Sequence, residues 1–218
     1  MNDIWNSPDK FNREASKWDE NPQRRALALS VSQAIITTIK PEKNMNALEF
    51  GCGTGLVTLE IAPLVKKISA VDTSIEMLAV LQDKINASGI TNIETRSLNL
   101  SSSSESDFPE KSFDLIYSSM TLHHIDDTAG FLNRISILLS PGGILTIADL
   151  DLEDGMFHDD PLEKVHHGFE RRELAALFYD AGLQALSFET IYTINKTNRS
   201  GATAAYPVFL SVASRLSV

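Results

Sequence analysis

The sequence predicts an α/β protein, in which a doubly wound and mostly parallel sheet of seven strands ends in an antiparallel hairpin. Three observations lead to this fold class. Five short apolar runs alternate with segments of helical periodicity between about residues 45 and 149. A glycine-rich turn follows the first run directly, as it does where a strand leads into a helix. Two β-rich runs with no helix between them, at about 184–194 and 206–216, come after the last helical segment.

Residues 1–43 are predicted to form an arm and one helix ahead of the sheet, and residues 44–218 form the main domain. The arm is polar and has no sustained period. Asn21-Pro22 suits the cap and first position of a helix, and apolar residues then recur at helical spacing until Pro41 ends it. The aromatic residues of the arm, which we expect to pack on the domain, are Trp5, Phe11 and Trp18.

Strand 1, at about residues 45–50, leads into the stretch around which the chain is organised. Glu49 stands near the end of the apolar run, and Gly51, Gly53 and Gly55 follow at alternate positions. Because glycine lacks a Cβ and readily takes positive φ, a ligand can lie against the main-chain amides of such a turn. The dinucleotide fingerprint G-x-G-x-x-G requires glycine at position 56, where this chain has leucine. The turn therefore predicts a binding site for a ligand of another class.

Strand 2 is predicted at residues 67–72 and closes on Asp72. In a doubly wound sheet the carboxyl ends of strands 1 and 2 lie side by side, so Asp72 is placed to accept hydrogen bonds from the ribose hydroxyls of a ligand. Ser74 suits the cap of the next helix, in which Met77 faces inward, and residues 91–98 predict strand 3.

The remaining strands follow the same alternation. Residues 111–119 lead into strand 4 after a serine-rich loop at 101–110, and residues 144–149 form strand 5 after the turn Pro141-Gly142-Gly143. The segment 149–168, at the carboxyl end of strand 5, is long, acidic and contains histidines, which is typical of a functional loop. One more helix precedes the hairpin.

Four stretches resemble the class I S-adenosylmethionine-dependent methyltransferases. Glu49 and the three glycines match their first motif, E/D-x-G-x-G-x-G. Ser112–Ile116, Leu122–Ile125 and Leu139–Leu145 resemble the regions around their fourth and fifth strands. The resemblance covers about residues 44–216 and implies a Rossmann-like seven-stranded sheet. It also implies S-adenosylmethionine as cofactor, transfer of its methyl group to a small-molecule acceptor by in-line displacement, and S-adenosylhomocysteine as product.

The resemblance assigns roles to residues at the carboxyl ends of the strands. Glu49 and the glycine turn form the bed for the methionine portion, Asp72 binds the ribose, and Asn99 meets the edge of the adenine ring where the family often carries an acid. The arm from Phe11 to Trp18 resembles the region that covers the cofactor as a lid in many small-molecule members. The cofactor set that we expect is Glu49, Gly51, Cys52, Gly53, Gly55, Asp72, Thr73, Met77, Asn99, Leu100 and Ser118. Ser119 and Met120 are further candidates beside Ser118, near the methionine end and the methyl group.

All five histidines follow strand 4 or strand 5, where the acceptor should bind. An imidazole titrates near neutrality and can act as a general base for a protic acceptor. The catalytic candidates are His166 and His167, in the 149–168 loop, and His124, after strand 4. One member of the His123-His124 pair is expected only to make hydrogen bonds within the fold. Replacement of His167 is expected to slow turnover and to leave cofactor affinity unchanged.

Composition sets limits on compartment and partners. The 218 residues carry a formal net charge of −10 and no basic cluster longer than two residues, which argues against a nucleic-acid partner. The chain has no apolar stretch of about 18 residues and no basic leader, so neither a membrane nor export is expected. The single cysteine excludes an internal disulfide, and a reduced, cytoplasmic compartment is the expectation.

No metal is expected. Catechol-type methyltransferases hold magnesium with an acid at the end of strand 4 and an acid-amide pair near strand 5, whereas strand 4 here ends in serines and Asp149 is not followed by asparagine. Two other functions stay open beside methyl transfer. One is an NAD-dependent oxidoreductase on a Rossmann sheet, and the other is a non-catalytic protein that binds S-adenosylmethionine. The sequence also leaves open the identity of the acceptor and the oligomeric state.

Overall fold

The computed structural model describes residues 8–100 and 108–216 and confirms the predicted fold class. Trp5 and most of the serine-rich loop lie outside these residues. The strands are β1 (Asn46–Phe50), β2 (Lys67–Asp72), β3 (Ile93–Ser97), β4 (Phe113–Ser119), β5 (Leu139–Leu150), β6 (Leu183–Thr197) and β7 (Thr203–Arg215). They form one sheet in the order β3-β2-β1-β4-β5-β7-β6. β1 to β5 run parallel, and β7 pairs antiparallel with β5 and β6.

The helices are α1 (Asp9–Glu14), α2 (Pro22–Ile39), α3 (Thr58–Ile61), α4 (Ile75–Ser88), α5 (Thr128–Ser136) and α6 (Arg171–Asp180), with 3-10 turns at Ala15–Glu20, Ala62–Leu64 and Leu122–His124. The predicted cap of α2 is confirmed, because Oδ1 of Asn21 accepts from the N–H of Gln23 at 2.9 Å. Within the residues described, no helix combines the length and apolar character needed to cross a membrane.

Apolar side chains cover both faces of the sheet, as expected for parallel strands buried between helices. The helices α2, α3 and α4 pack on one face through residues that include Val31, Ile35, Ile61 and Leu81. The helices α5 and α6 pack on the other face through Phe131, Leu132, Leu174 and Phe178. The carboxyl ends of the parallel strands are left uncovered by these layers, and the turns that follow them meet there.

β5 begins earlier than the sequence predicts. Pairing passes from Phe113 opposite Leu139 to Leu115 opposite Ile144, so the residues around Pro141 form a bulge within the strand rather than a turn before it. The two hairpin strands are also longer than predicted, because cross-strand hydrogen bonds continue through their polar outer ends.

The segment between β5 and α6 is tied to the end of the sheet. The N–H of Leu152 donates to the carbonyl of Phe169 at 3.0 Å, and the N–H of Glu153 donates to that of His167 at 2.9 Å. The Asp151 carboxylate holds the Arg171 guanidinium through two contacts of 2.7 Å. These contacts draw the segment back toward the carboxyl edge of the sheet.

Candidate active site

The glycine turn joins the carboxyl ends of β1 and β2. The N–H groups of Gly51 and Cys52 donate to the Val71 carbonyl at 2.8 and 3.0 Å. All three glycines of the motif have positive φ, between 53° and 82°. The turn therefore has the conformation that the sequence pattern predicts, and glycine is the residue that adopts it at least cost.

The three glycines have different surroundings. A Cβ on Gly51 would lie 2.1 Å from Oγ1 of Thr121, and one on Gly55 would lie 2.3 Å from the Leu81 side chain. A Cβ on Gly53 would meet no atom of the described residues within 4 Å. Gly51 and Gly55 are therefore required for packing, whereas Gly53 leaves open space above the turn.

Asp72 is placed next to this turn, as the strand order predicts. Its Oδ2 accepts from the N–H of Gly53 and its Oδ1 from the N–H of Ser74, both at 2.8 Å. Burial raises the pKa of Asp72, and the hydrogen bonds from the main chain of Ser74, Gly53 and Thr73 oppose that rise. One carboxylate thus holds the glycine turn, fixes the start of α4 and faces the adjoining cavity.

We call the cavity over Gly53 and Asp72 the turn cavity; it contains about 670 Å³ of space free of protein atoms. Of the residues assigned to the adenine ring, those that line it are Thr73, Asn99 and Leu100. Met77 does not, because it lies in the core, where its N–H donates to the Ser74 hydroxyl. Apolar walls beside a carboxylate and an amide suit a purine nucleoside.

Strand 4 places its last residues differently from the prediction. Ser118 is fully buried, and its hydroxyl donates to the Phe50 carbonyl at 2.8 Å. Ser119 lines the turn cavity instead. Successive side chains on a strand point to opposite faces of the sheet. Ser118 therefore faces the core, and its neighbour Ser119 faces the site.

A smaller cavity, which we call the Glu49 cavity, continues from the turn toward the start of α2. Glu49 is buried and accepts a hydrogen bond from the Thr58 hydroxyl at 2.6 Å. Burial raises the pKa of Glu49 to about 8, although the hydrogen bond from Thr58 lowers it. Cys52 lines the same cavity, and burial raises the pKa of its thiol, so it stays protonated and unreactive.

A third cavity, which we call the histidine cavity, lies between the arm and the loop that follows β5. It contains about 1100 Å³ of space free of protein atoms. Met120 lines all three cavities. Its φ is 56°, and its N–H donates to the Ala148 carbonyl at 2.8 Å. A non-glycine residue in this conformation is uncommon and is held here by the neighbouring strand, so Met120 marks the junction of the cavities.

The arm covers the cavities from one side. Phe11 lines both the turn cavity and the histidine cavity, and its ring packs on Trp18 at 5.8 Å and on His124 at 5.3 Å. Oδ1 of Asn12 accepts from the Ser74 hydroxyl at 2.6 Å, which ties α1 to the start of α4.

Three imidazole rings cluster in the histidine cavity. The ring of His123 lies 4.2 Å from that of His124 and 5.2 Å from that of His158. Nδ1 of His123 lies 2.6 Å from Oδ1 of Asp149, and both side chains are buried. Burial, with His123 and His158 close by, lowers the pKa of His124 well below its usual value. His124 also lines the turn cavity.

The other two histidines lie apart from this cluster. Nε2 of His166 contacts the Ile125 carbonyl at 2.9 Å, and His167 is exposed and packs beside Gly155. Neither lines any of the three cavities. Of the three catalytic candidates that the sequence suggests, the structure brings only His124 to the site. In the described ranges, no group of three or more His, Cys, Asp or Glu side chains has an arrangement that could hold a metal ion.

Sequence reasoning missed part of the site. The sequence suggests Ser119 and Met120 only after Ser118, whereas the alternation along β4 turns Ser119 rather than Ser118 toward the cavity. The pairing of His123 with Asp149 carries no local signal, because the two residues are 26 positions apart. His158 lies in the loop that the sequence singled out, but nothing in its pattern distinguishes it from the other histidines there.

Comparisons with known proteins identify relatives of the chain. A family model described as a methyltransferase domain matches residues 20–187, which is more than half of the chain. An uncharacterised methyltransferase of Schizosaccharomyces pombe is 30% identical over 190 residues, covering 82% of this chain and 66% of that protein. An O-methyltransferase of Aspergillus nomiae is 25% identical over 186 residues, covering 80% of this chain and 81% of that protein.

A solved structure shares the fold. A S-adenosylmethionine-dependent methyltransferase from Aquifex aeolicus matches with a TM-score of 0.70 and 20% identity, covering 96% of this chain and 99% of that one. The chain spans just under two thirds of the length of the Schizosaccharomyces pombe relative. None of the matches described above supports the alternative function of an NAD-dependent oxidoreductase. The methyltransferase-domain model matches most of this chain, from residue 20 to residue 187. This match shows that the chain belongs to the class I S-adenosylmethionine-dependent methyltransferases.

Proposed function

We propose that this chain transfers a methyl group from S-adenosylmethionine to a small-molecule acceptor by in-line displacement. The observation that carries the proposal is the junction of two cavities at Met120, with Phe11 and His124 in the walls of both. A donor in one cavity and an acceptor in the other would meet there. Holding two reactants at near-contact distance can lower the activation free energy by about 7 to 11 kcal/mol.

The residues of the turn cavity and the Glu49 cavity fit the cofactor. The open space over Gly53 leaves room for a ligand against the main chain, and Asp72 faces that space with an acceptor group. Glu49 supplies a carboxyl for the ammonium group of the methionine portion, and Thr73 borders the adenine ring. When bound, the cofactor supplies an activated methyl group on a cationic sulfur. The chain orients the two molecules and excludes water.

The arm supports a small acceptor. Residues of α1 and the 3-10 turn after it close one side of the histidine cavity, and Lys10 binds Glu163 of the loop after β5 at 2.9 Å. We infer that the arm acts as a lid that must open for an acceptor to enter. A net charge of −10 offers no attraction to a polyanionic polymer.

The first test is calorimetric binding followed by an assay for S-adenosylhomocysteine. We expect S-adenosylmethionine and S-adenosylhomocysteine to bind and NADH not to bind. With a true acceptor, S-adenosylhomocysteine should accumulate in proportion to the methylated product. Binding without turnover on any acceptor class would favour the non-catalytic alternative, and a protein that binds neither form of the cofactor would end the proposal.

Glu49 gives a prediction on pH. Since its pKa is about 8 before binding, the carboxyl is mostly protonated at pH 7. A cationic ammonium group favours the ionised form, so cofactor binding should release a proton, and affinity should rise as pH increases toward 8, approaching about tenfold per unit. Calorimetry in buffers of different ionisation enthalpy counts that proton. Glu49→Gln should abolish both the proton release and the rise, and a variant that kept them would contradict this role.

The Glu49 carboxyl also makes the stability of the protein depend on pH, in the opposite direction to cofactor affinity. Its folded-state pKa is raised from 4.5 to about 8, so the folded protein holds a proton that the unfolded chain loses over this range. The free energy of unfolding of the ligand-free protein should therefore fall as pH rises through this window. Glu49→Gln should make that dependence flatter in thermal melts.

A further inference from the structure

We propose that the histidine cavity binds an apolar, aromatic hydroxyl compound and that His123, held by Asp149, takes the hydroxyl proton during methyl transfer. This inference rests on the proposed function and adds the class of acceptor and the base. It draws on the dyad of His123 and Asp149, on a buried nitrogen of His158 that has no hydrogen-bond partner among the described residues, and on the composition of the cavity wall.

The dyad has the geometry of an oriented base. Oδ1 of Asp149 lies 2.6 Å from Nδ1 of His123 and also accepts from the N–H of Leu150 at 2.7 Å. Its Oδ2 accepts from the N–H of His123 at 3.2 Å. A carboxylate can only accept, so Nδ1 of His123 carries the proton and Nε2 is left with a lone pair. His123 lines the histidine cavity, and the proposed role as base requires that this lone pair faces the bound hydroxyl compound.

Asp149 also stabilises the protonated product of such a step. An imidazolium formed in a buried cavity is costly unless a counter-charge lies beside it, and the fully buried carboxylate supplies one at contact distance. Among the described residues, no carboxylate is hydrogen-bonded to His124, and burial lowers its pKa well below the usual value. His124 therefore stays neutral and forms part of the cavity wall, whereas His123 is the histidine that the Asp149 carboxylate orients.

A second imidazole offers a hydrogen bond to the same ligand. The His158 side chain is 10% exposed, and its Nδ1 lies 3.3 Å from Oε2 of Glu163. Its Nε2 is buried and has no hydrogen-bond partner in the part of the chain that the structure describes. Burial would raise the pKa of Glu163, but hydrogen bonds from His158 and Lys10 bring it to about 2, so the residue is ionised and holds the ring in place. A polar ligand atom would satisfy that nitrogen.

The cavity wall selects among acceptor classes. Aromatic side chains from the arm and the loop line it, namely Phe11, Trp18 and Phe157, which suits a flat apolar ligand. Each cation in the wall already has a carboxylate, with Lys10 bound to Glu163, Arg24 to Glu14 and Lys196 to Asp159.

The same pairings disfavour an ammonium acceptor. Asp159 is the one carboxylate among the described wall residues; it is bound to Lys196 and is 80% exposed. A cationic amine would therefore find no counter-ion that is free of another cation among the described residues of this wall. A carboxylate substrate is already nucleophilic in its ionised form. It would therefore not need the His123–Asp149 dyad as a base. A neutral hydroxyl needs a base, and an aromatic one is acidic enough for an imidazole to remove its proton.

The reaction balances without another reactant. The O–H bond of the acceptor breaks as its proton passes to Nε2 of His123, and the oxygen forms a bond to the methyl carbon. The S–CH₃ bond breaks, its electron pair stays on sulfur, and neutral S-adenosylhomocysteine results. The imidazolium then returns its proton to water when the cavity opens.

The test uses 4-nitrophenol with the protein saturated with S-adenosylhomocysteine, since the phenolate of this probe has its own visible absorption band. At one pH unit below the probe's own pKa, only about a tenth of the free probe is ionised. On binding to the wild type we expect more than half to be ionised. His123→Asn keeps a donor toward Asp149 but removes the atom at Nε2, and it should bind the probe in its neutral form. Asp149→Asn should also bind the probe in its neutral form. The matched control Asp180→Asn replaces an exposed carboxylate at the end of α6. It should keep the absorption band of the ionised probe.

The outcomes separate this inference from the proposed function. Cofactor affinity within about twofold of wild type shows that each variant is folded. Wild-type protein that binds the cofactor but not the probe, or that binds the probe with no gain in ionisation, would overturn the inference and leave methyl transfer standing. The same holds if His123→Asn ionises the probe as fully as wild type. For phenols that are methylated, His123→Asn should lower kcat by about 100-fold or more, and the loss should shrink for acceptors of lower pKa.

Discussion

Replacement of Asp72 by alanine is expected to weaken the binding of S-adenosylmethionine by about 1 to 3 kcal/mol, or about 5- to 150-fold in Kd. The carboxylate faces the turn cavity and is placed for the ribose hydroxyls, so the variant loses hydrogen bonds to a charged acceptor. It also leaves the N–H groups of Gly53 and Ser74 without the oxygens that they now use. We therefore expect a lower Tm together with the loss of affinity.

Two further variants separate these effects. Asp72→Asn retains one oxygen for Gly53 or Ser74 but turns an amide toward the other donor, so its stability should lie between those of alanine and wild type. Asp83→Ala removes an exposed carboxylate from α4 and should change neither quantity. An affinity that stays the same in Asp72→Ala, measured by calorimetry, would refute the ribose role.

Replacement of Gly51 by alanine is expected to lower both stability and cofactor affinity. An alanine at φ 68° costs about 1 to 2 kcal/mol in the backbone alone. Its Cβ would also lie within 3 Å of three atoms of Thr121, which must move, and Thr121 lines the turn cavity. We expect cofactor affinity to fall about tenfold or more, or about 1.4 kcal/mol.

Gly89→Ala is the matched control for strain. Gly89 ends α4 with φ 65°, and a Cβ there would meet no atom within 4 Å in the part of the chain that the structure describes. This variant should lose a similar backbone free energy in chemical unfolding and keep full cofactor affinity. If both variants lost the same amount of stability and neither lost affinity, Thr121 would have no part in shaping the cavity.

The sequence was a good guide to the fold and the cofactor side of the site because these depend on local signals. The three glycines indicate positive φ at their own positions. Asp72 ends a strand whose place in the sheet follows from the alternation of strands and helices. Strand lengths were less well predicted, since the bulge near Pro141 depends on how β5 pairs with β4.

The acceptor side depended on contacts that no local pattern reveals. Ser118 and Ser119 differ only in the phase of one strand, and the phase decides which of them reaches the cavity. His166 and His167 lie in the loop that the sequence marked, yet the loop folds back and turns them away from the three cavities. His158, from the same loop, is brought to His123 instead.

By itself, the sequence determined the order of strands and helices, the glycine turn and the acid beside it, because each of these is encoded by neighbouring residues and by the preference of each residue for a backbone conformation. Only the tertiary structure decided which histidine has a carboxylate behind it. His123 follows β4 and Asp149 lies at the end of β5, and they meet because these strands pair in parallel and bring their carboxyl ends together. Contacts of this kind come from packing over long separations in the chain, which residue patterns alone do not specify.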